Sequence, residues 1–281
     1  MTAAQHDMKP ILILGGTGKT GRRIAEQLAA RNLPVRIGSR GATPSFDWDD
    51  RATWAGAVEG VGAVYISYYP DLAGPGAAEV VGAFAEFAVG MGVKRLVLLS
   101  GRGEPEAQQA EATVQQSGAY WTILRCSWFM QNFSESFMLD AVLSGEVALP
   151  VGAVREPFVD TDDIADAAVA AFTDERHIGQ LYELTGPRLL TFTDAVAEIA
   201  TAAGRDIRFV EISAADFKAG LAEQQLPEDL IDLLMMLFTE VLDGRNQHVV
   251  DGVSQALGRP ARDFTDYAKT VAATGAWGDK K

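Results

Sequence analysis

Three glycines near the start of the chain have the spacing of a phosphate-binding turn. Gly15, Gly18 and Gly21 follow the apolar run Ile11–Leu14 and open a stretch with helical spacing, residues 18–31. A glycine turn between a strand and a helix lets the backbone approach a pyrophosphate, which amide groups at the start of the helix then bind. The alternative is a structural turn that needs glycine for its conformation. We predict a dinucleotide site formed by Gly15, Thr17, Gly18, Lys19, Thr20 and Gly21.

The sequence Gly18-Lys19-Thr20 also has the form of the end of a nucleoside-triphosphate-binding loop. That loop requires a glycine five positions before Gly18. Position 13 is Ile, inside the predicted strand. The turn is therefore too short to wrap a triphosphate, and we exclude a nucleoside triphosphatase.

The end of the second predicted strand indicates which dinucleotide binds. Folds that prefer NAD(H) carry an acidic residue about 20 residues after the turn, where it binds the ribose 2′-hydroxyl. Here the strand ends in Gly38-Ser39-Arg40, with no carboxylate. Ser39 can donate a hydrogen bond to a 2′-phosphate, and Arg40 can pair with it while stacking on adenine. We predict NADP(H). The alternative is a merely solvated Arg40, and Arg22 and Arg36 are further candidate phosphate ligands.

The segment FDWDD, residues 46–50, lies where a third strand is expected to end. Asp47 can accept a hydrogen bond from the adenine amino group there, and Trp48 can line the rim of the adenine site. The alternative interpretation of Asp47 is an N-cap for a helix that begins near Arg51.

The chain lacks the proton-donating pair of ordinary short-chain reductases. Those enzymes use Tyr-x-x-x-Lys, in which lysine lowers the pKa of the tyrosine that acts as an acid. None of the six tyrosines has Lys four positions later, and no Lys lies between Lys94 and Lys218. Two mechanisms stay open. A cationic C=N acceptor needs a hydride and no immediate proton, whereas a ketone or quinone would take its proton from Tyr68, Tyr69, water or the substrate.

Polar and aromatic side chains stand at the ends of two further predicted strands: Ser67, Tyr68, Tyr69, Ser100 and Arg102. In doubly wound sheets, ligands bind outside the carboxyl ends of the strands. We predict that Ser100 and Tyr68 are catalytic and, with Ser67, contact the cofactor. Tyr69 and Arg102 are predicted to contact the substrate. The alternative is that Ser100 only ends a strand and Tyr68 only packs.

A cluster of large apolar side chains follows the last predicted strand of the first half: Trp128, Phe129, Met130 and Phe133. Aromatic rings stack on flat ligands, and Met adapts to irregular shapes. We predict that these four residues bind the substrate, a planar polycyclic secondary metabolite. The alternative is that they belong to the hydrophobic core.

These candidates need a scaffold, and the first half of the chain alternates short apolar runs with helical stretches. The runs are 11–14, 35–38, 63–67, 95–100 and 121–124, and the helical stretches are 18–31, 80–89 and 107–116. This alternation is typical of a parallel sheet covered on both faces. We predict an α/β fold, a Rossmann-type doubly wound parallel sheet with a small C-terminal α/β substrate domain. The predicted domains are 8–150 for NADP(H) and 151–281 mainly for substrate, sharing a cleft.

The second half has a different pattern, with helices predicted at 129–143 and 161–172. Gly145 is expected to close the first of them. Thr191 and Asp194 have the spacing of a capping box for a further helix.

Composition excludes several classes of function. The 281 residues include 24 Lys and Arg against 38 Asp and Glu, a net charge of −14, which disfavours nucleic acid and a basic membrane-surface helix. Cys126 is the single cysteine, and no residues have metal-ligand spacing. No run approaches the roughly 18 apolar residues of a membrane span. We expect a cytoplasmic monomer that binds a small aromatic substrate and no metal.

Several segments together resemble the NmrA-like atypical short-chain dehydrogenase/reductases. They are GGTGKTGRR, SR at the second strand, FDW, GVKRLVLLS, WTILRCSWFMQNF and DTDDIADA. The resemblance runs from about Ile11 to about Tyr267, in particular to the branch that contains agroclavine dehydrogenase, and more broadly to triphenylmethane reductase and atypical polyketide ketoreductases. It implies an NADP(H)-binding Rossmann domain with a small substrate domain. Cys126 departs from the family pattern, which has Pro after the arginine.

The predicted function is NADPH-dependent reduction of a C=O or C=N bond in a bulky, polycyclic aromatic metabolite. The missing Tyr-x-x-x-Lys pair supports a second hypothesis, a non-catalytic NADP(H) sensor that binds a protein partner, because the family includes such regulators. An isomerase that retains its cofactor is a third. NADPH oxidation with quinones, polycyclic ketones and cyclic iminiums separates the reductase from the sensor.

Overall fold

The structure is a computed structural model that describes residues 9–278, so residues 1–8 and 279–281, at the outer ends of the two predicted domains, lie outside it. The described chain forms two compact units. Unit 1 consists of residues 9–126, Thr161–Glu183 and Gly252–Arg259, and unit 2 consists of Ser127–Asp160, Leu184–Asp251 and residues 260–278.

Ten strands form the sheets of the described chain. They are β1 (Ile11–Leu14), β2 (Val35–Gly38), β3 (Ala63–Ile66), β4 (Arg95–Gly101), β5 (Tyr120–Cys126), β6 (Glu146–Leu149), β7 (Arg155–Glu156), β8 (Gln180–Leu184), β9 (Leu190–Thr191) and β10 (Arg208–Glu211). Six build one sheet in the order β2-β1-β3-β4-β5-β8. Because β8 pairs with β5, the chain returns to the first sheet after leaving it. The unit boundary therefore falls after Cys126, and not at residue 150 as predicted.

The helices of residues 9–278 connect these strands and cover them. They are α1 (Lys19–Ala30), α2 (Trp54–Val58), α3 (Ala77–Gly90), α4 (Pro105–Gln116), α5 (Asn132–Glu135), α6 (Met138–Ser144), α7 (Thr161–Thr173), α8 (Phe192–Ala203), α9 (Ala214–Glu223), α10 (Glu228–Met236), α11 (Gly252–Leu257) and α12 (Phe264–Ala273). A turn of 3-10 helix at Arg51–Thr53 precedes α2, another at Glu175–His177 follows α7, and a π turn at Leu237–Val241 continues α10.

Strand β1 has neighbours on both sides in the sheet of unit 1. All four of its residues are buried, as its continuous run of Ile and Leu predicts, and Ile13 pairs with Ile37 of β2 and Tyr65 of β3. The pairs from β2 to β5 are parallel. Since the strand order reverses at β1, right-handed crossovers place α1 and α3 on opposite faces. The predicted Rossmann-type doubly wound sheet is confirmed.

Two local expectations differ from the structure. The predicted helix over 129–143 is two short helices, α5 and α6, separated by extended backbone at Ser136, and Gly145 ends α6 with a φ of +88°. Residues 46–50 form no strand, and the third strand of the sheet begins only at Ala63. The reason is ring packing, since Phe46 and Trp48 both lie against Phe84, with centroids 5.5 and 5.3 Å away. The capping box of Thr191 and Asp194 is present at the start of α8.

Unit 2 is packed around aromatic rings. Phe133, Phe158, Phe192 and Phe264 are fully buried, with neighbouring ring centroids 5.2 to 6.2 Å apart. Trp277 donates from Nε1 to the Phe133 carbonyl oxygen at 2.9 Å. Strands β6 and β10 form a parallel pair, and β7 and β9 an antiparallel pair. Edge-to-face ring contacts of this kind stabilise a core beyond the area they bury.

No helix within residues 9–278 combines the length and apolar character needed to cross a bilayer. The same residues hold no group of three or more His, Cys, Asp or Glu side chains that could hold a metal ion. The Cys126 thiol is buried and unoxidised.

Candidate active site

The turn between β1 and α1 has the geometry of a phosphate-binding loop. Gly15 has a φ of +65°, a left-handed conformation that favours glycine, and Gly18 donates from its N–H to the Gly15 carbonyl oxygen at 2.8 Å. A Cβ on Gly21 would collide with that same oxygen. Helix α1 begins at Lys19 without a side-chain cap on its first turn. Amide groups at such a helix start bind anions, so the turn fits a pyrophosphate.

Thr20, predicted to bind phosphate, turns its side chain into unit 1. The buried hydroxyl accepts a hydrogen bond from Tyr65 Oη at 3.0 Å. Burial raises the pKa of Tyr65, so the phenol stays protonated and continues to donate. The Thr20 side chain therefore links α1 to β3, and its backbone amide is the group that a phosphate could contact.

A cavity of about 660 Å³ opens at the end of β2, lined by Pro10, Thr17, Val35, Arg36, Ile37, Ser39, Gly41, Ala42 and Thr43. It brings together Thr17 of the glycine turn and Ser39, as the sequence predicts for the adenosine end of a dinucleotide. Arg36 is held in place because its Nη1 donates to the carbonyl oxygens of Ala57 and Glu59, at 2.8 and 2.7 Å. The described residues that line this cavity include hydroxyl groups and a guanidinium but no carboxylate.

Arg40 does not simply extend into water. Its guanidinium carbon lies 5.7 Å from the centroid of the Tyr69 ring, within the range of a cation–π contact. Both side chains are exposed, Tyr69 by two thirds (66%). The pair forms a planar, positively charged surface on the sheet edge at which β2 and β3 end.

The FDW segment behaves differently from the prediction in two respects. Trp48 is buried among Phe46, Trp54 and Phe84, so the expectation that it lines an open rim is wrong. The alternative for Asp47 is also wrong, because the carboxylate that caps the helical turn is that of Asp50. Asp50 Oδ1 accepts from the Ala52 N–H at 3.0 Å.

Asp47 instead organises its own loop. Its Oδ1 accepts from the Asp49 N–H at 3.2 Å, and its carbonyl oxygen accepts from Trp54 Nε1 at 3.0 Å. The carboxylate is half-buried. A contact between Asp47 and the adenine amino group stays a prediction.

The end of β3 lies against the glycine turn. A Cβ on Gly15 would stand 3.3 Å from both Cβ and Oγ of Ser67, and Trp48 donates from Nε1 to the Ser67 carbonyl oxygen at 3.3 Å. Tyr68 packs on Trp48 with ring centroids 5.1 Å apart. Burial raises the pKa of Tyr68, and nearby Asp49 raises it further, so this phenol is a weak acid. Ser67 is thus positioned beside the turn as predicted, while the catalytic role of Tyr68 stays a prediction.

Ser100, at the end of β4, is part of a network of buried charges. Its hydroxyl donates to Glu111 Oε1 at 2.6 Å, and Arg125 donates to the same carboxylate from Nε at 2.8 Å and from Nη2. Glu183 of β8 accepts from Arg125 Nη1 at 3.0 Å and from Arg102 Nε at 3.3 Å. Hydrogen bonds to Glu111 raise the pKa of Arg125.

This network concerns two of the predicted site residues. Ser100 is buried and its hydroxyl donates a hydrogen bond to Glu111, so its catalytic role and its contact with the cofactor stay predictions. Arg102 is also buried, with its guanidinium against Glu183, and its contact with the substrate stays a prediction as well. Sequence spacing identified the strand end, but the direction of each side chain depends on partners on α4, β5 and β8.

Two carboxyl groups that are not among the predicted site residues stand at the same edge of the sheet. Asp71 follows β3 and Glu104 follows β4, and both pKa values are raised, chiefly by burial. For Asp71, the Ala73 N–H and the charge of Lys19 oppose that shift. The available signal was an acid placed directly after a strand end in the sequence Ser100-Gly-Arg-Gly-Glu104.

In unit 2, the predicted substrate residues divide into two pairs. Met130 and Phe133 are fully buried in the aromatic core, so their assignment to a substrate surface is wrong. Trp128 and Phe129 are only partly buried. The Trp128 ring lies 4.9 Å from that of Phe238, which in turn contacts exposed Phe137 at 6.0 Å. Trp128 and Phe137, here called the aromatic surface, are the rings of this region that a flat ligand could reach, and Phe238 lies buried between them.

Comparisons with known proteins agree with this geometry. A family model described as NAD(P)H-binding matches residues 15–175. Agroclavine dehydrogenase of Claviceps fusiformis is 34% identical, covering 92% of this chain and 95% of its own, and an NAD(P)H azoreductase of Xenophilus azovorans is 31% identical, covering 94% and 98%.

Among solved structures, an NADPH-dependent quinone oxidoreductase from Escherichia coli, complexed with NADPH, matches with a TM-score of 0.76 at 22% identity. It covers 93% of this chain and 99% of its own. This likeness supports the fold. The chain belongs to the NAD(P)H-binding family, in the NmrA-like group of NAD(P)H-dependent oxidoreductases that its sequence motifs resemble.

Proposed function

We propose that the chain is an NADP(H)-dependent reductase of a C=O bond, in a ketone or quinone, or of a C=N bond in an iminium, with a bulky aromatic molecule as substrate. The observation that carries the proposal is the edge of unit 1 where the glycine turn, Ser67 and the cavity at Ser39 adjoin. When bound, NADPH supplies the hydride. The residues of this chain bind and orient it.

The cofactor preference rests on charge. The 2′-phosphate of NADP(H) carries negative charge that a bare ribose hydroxyl lacks, and an acidic residue at the end of β2 would repel it. The cavity there has Thr17, Ser39 and Arg36 in its lining, and Arg40 is next in sequence to Ser39. Hydroxyl and guanidinium groups donate hydrogen bonds to phosphate oxygens. We therefore propose NADP(H) over NAD(H).

The substrate class rests on the aromatic surface of unit 2 and on the relatives. The relatives' names specify agroclavine, azo compounds and, for the structural neighbour, quinones as their substrates. In this chain, the half-buried Trp128 ring and exposed Phe137 offer area for stacking, which favours flat aromatic molecules. We propose that unit 2 selects a polycyclic substrate through these rings, and that Phe129 and Tyr69 also contact it.

Oxidation of NADPH, followed with quinones, polycyclic ketones and cyclic iminiums, tests the proposal. We expect turnover with at least one of these classes and a lower KM for polycyclic than for single-ring members. Trp128→Ala should raise KM for a polycyclic quinone about tenfold and leave KM for benzoquinone unchanged. The control is Tyr120→Ala, at an exposed aromatic residue at the opposite end of β5, and it should change neither KM value.

Tight NADPH binding without turnover on any class would contradict the reductase and leave the NADP(H)-sensing regulator as the function. We propose further that the protein acts as a cytoplasmic monomer without a nucleic-acid partner. The acidic net charge of −14 supports the last point. Light scattering at working concentration tests the monomer, and a dimer mass would overturn it.

A further inference from the structure

Glu104 places a carboxyl group directly on the backbone at the end of β4. It occupies the N-cap position of α4, yet its side chain makes no capping hydrogen bond to that helix. The carboxyl instead lies against the α-carbon of Gly101, where a Cβ on residue 101 would overlap with it. Within residues 9–278 the Glu104 carboxyl has no hydrogen-bond or ion-pair partner. Glu104 is only partly buried, so a ligand at this edge of the sheet could reach its carboxyl group.

Acidic groups lie near Glu104 on three elements of unit 1, and one of them, Glu111, is paired with Arg125. Asp71 faces it from the loop after β3, Glu106 and Glu111 from α4, and the Cys126 thiol from the end of β5. The positive charge of Lys19, the first residue of α1, lowers the pKa of Asp71. These interactions link Glu104 to the glycine turn along one edge of the sheet, the edge at which ligands bind in doubly wound folds.

We infer that Glu104 is the proton donor of the reduction, and that its carboxyl delivers a proton to the oxygen of a substrate C=O bond. This inference rests on the proposed reductase function and narrows it to carbonyl compounds, ketones or quinones. It also replaces the absent Tyr-x-x-x-Lys pair. Ser100 donates its proton to Glu111, and the phenol of Tyr68 is a weak acid, so neither supplies a proton as readily.

The protonation state of Glu104 suits this role. Burial raises the pKa of Glu104 well above that of an ordinary glutamate, and the charges of Asp71, Glu106 and Glu111 raise it further. A raised pKa favours the protonated form of a carboxyl group, and that form acts as a general acid.

The reaction balances without another reactant. The new C–H bond would form with a hydride that bound NADPH supplies as it becomes NADP⁺, while the π bond of C=O breaks. The oxygen takes the proton from Glu104, so the carbonyl compound gains two electrons and two hydrogens and becomes an alcohol. Glu104 is left as a carboxylate, and a proton from water restores it. For a quinone, the same hydride and proton give the hydroquinone.

The first test needs neither cofactor nor substrate. The protein is labelled with ¹³C in its glutamate carboxyl groups, and each carboxyl is titrated by NMR in the wild type, Glu104→Gln and Glu86→Gln. Glu86, on α3, is exposed and is not among the groups that shift the pKa of Glu104, so it is the control. We expect one carboxyl that titrates well above the other glutamates, absent from Glu104→Gln and present in Glu86→Gln. A Glu104 that titrates with the ordinary glutamates overturns the inference.

The second test measures turnover beside NADPH affinity. We expect Glu104→Gln to bind NADPH as the wild type does, yet to lose at least about 100-fold in kcat with a ketone or quinone, the usual contribution of a general acid. Its rate with a preformed iminium should stay within twofold, because that acceptor needs no proton. Glu86→Gln should retain both activities. The wild-type rate on a ketone should fall as the pH rises through the pKa of Glu104.

The outcomes separate the two proposals. A wild type that reduces quinones or ketones, with a Glu104→Gln variant equally active, overturns the proton donor alone. An equal loss on ketones and iminiums also overturns it, since that pattern shows a structural or electrostatic role. A wild type that reduces no carbonyl compound overturns the proton donor, and one that also reduces no iminium overturns the proposed function with it.

Discussion

The two units place their ion pairs differently. In unit 1, Glu111 is buried and binds Arg125 and Ser100 at the carboxyl ends of β4 and β5. In unit 2, the ion pairs of Arg188 with Asp263 and Glu198 lie near the surface, with Arg188 about one third exposed. The interior of unit 2 holds packed aromatic rings, together with the buried carboxyl groups of Glu156 and Asp160.

The difference indicates how each unit serves a ligand. A buried ion pair requires matched partners in a fixed geometry, and it costs desolvation energy that the pairing offsets only when that geometry is good. Such a network fixes the direction of side chains at the sheet edge where a polar cofactor would bind. Aromatic packing fixes shape and leaves polarity low, which suits selection of an apolar substrate. On the proposed function, we expect unit 1 to orient the cofactor and unit 2 to select the substrate.

The largest effect on stability is expected from the network of unit 1. Glu111→Gln removes the charge that Arg125 faces, so we expect a loss of about 3 kcal/mol in the free energy of unfolding, near the lower end of the range for breaking a buried pair. Urea unfolding followed by far-ultraviolet circular dichroism measures it. Glu146→Gln, which breaks the exposed Arg208–Glu146 pair of unit 2, is the matched control and should cost at most about 0.5 kcal/mol. Equal losses would remove the distinction between the units.

The next largest effect is expected from glycine substitution in the glycine turn, which is compared with a glycine substitution in unit 2. A Cβ would strike the Gly15 carbonyl in Gly21→Ala and the Phe158 carbonyl in Gly186→Ala, so we expect each to lose about 2 kcal/mol of stability. Only Gly21→Ala should also weaken NADPH binding. Gly90→Ala, at the end of α3 with open space around its Cβ position, is the neutral control. Fluorescence titration measures the NADPH affinity of each variant. Weaker NADPH binding in Gly186→Ala would contradict the proposal that unit 1 binds the cofactor and unit 2 the substrate.

We expect substitution of Arg40 to change the preference between NADP(H) and NAD(H). Substitution of Arg51, an exposed arginine that also lies on an aromatic ring, should leave that preference unchanged. Arg40→Asp places a carboxylate beside the proposed 2′-phosphate, so we expect at least a tenfold loss of NADP(H) affinity, about 1.4 kcal/mol, and a gain for NAD(H). Arg51→Asp removes the corresponding contact on Trp54, 5.3 Å away, and should change neither affinity. Unchanged affinity of Arg40→Asp for both cofactors would refute the proposed preference.

The smallest effect concerns the surface pairs of unit 2 and depends on pH. Hydrogen bonds from Arg188 lower the pKa of Asp263 to about 2, from the ordinary 3.8. A lowered folded-state pKa stabilises the protein above the unfolded value, and that stability is lost as the pH falls from about 4 towards 2. Because the pair is partly solvated, Asp263→Asn should cost about 1 kcal/mol at pH 7 and little near pH 2.

Asp243→Asn is the control for that measurement. Its pKa is also lowered, by Arg245, but both side chains are well exposed, so we expect no measurable change in stability with pH. Thermal unfolding between pH 2 and pH 7 follows both variants. A pH-independent cost for Asp263→Asn would show that its contribution is not electrostatic.

Much of the fold follows from sequence because its signals are local. The buried run Ile11–Leu14, the glycine turn and the capping box at Thr191 each depend on residues next to one another, and each is found as predicted. The site was predicted less well. Ser100 and Arg102 were recognised as strand-end residues, yet both turn inward to carboxylates far along the chain.

The aromatic clusters show the same limit. Trp48 and Phe133 have residue types that fit either a ligand surface or a core, and neighbours far along the chain place both in cores. Glu104 is the opposite case, because its sequence position did not place it among the predicted site residues. Its contact with Gly101 and its proximity to Asp71 exist only in the folded chain.

By itself, the sequence determined the doubly wound sheet, the dinucleotide turn and the absence of an acid at the end of β2, since spacing and residue type suffice for backbone geometry and local charge. Tertiary structure decided which polar side chains face a ligand and which pair with one another. The physical reason is that a carboxyl or hydroxyl group takes its direction and its pKa from burial and from partners that only folding brings together.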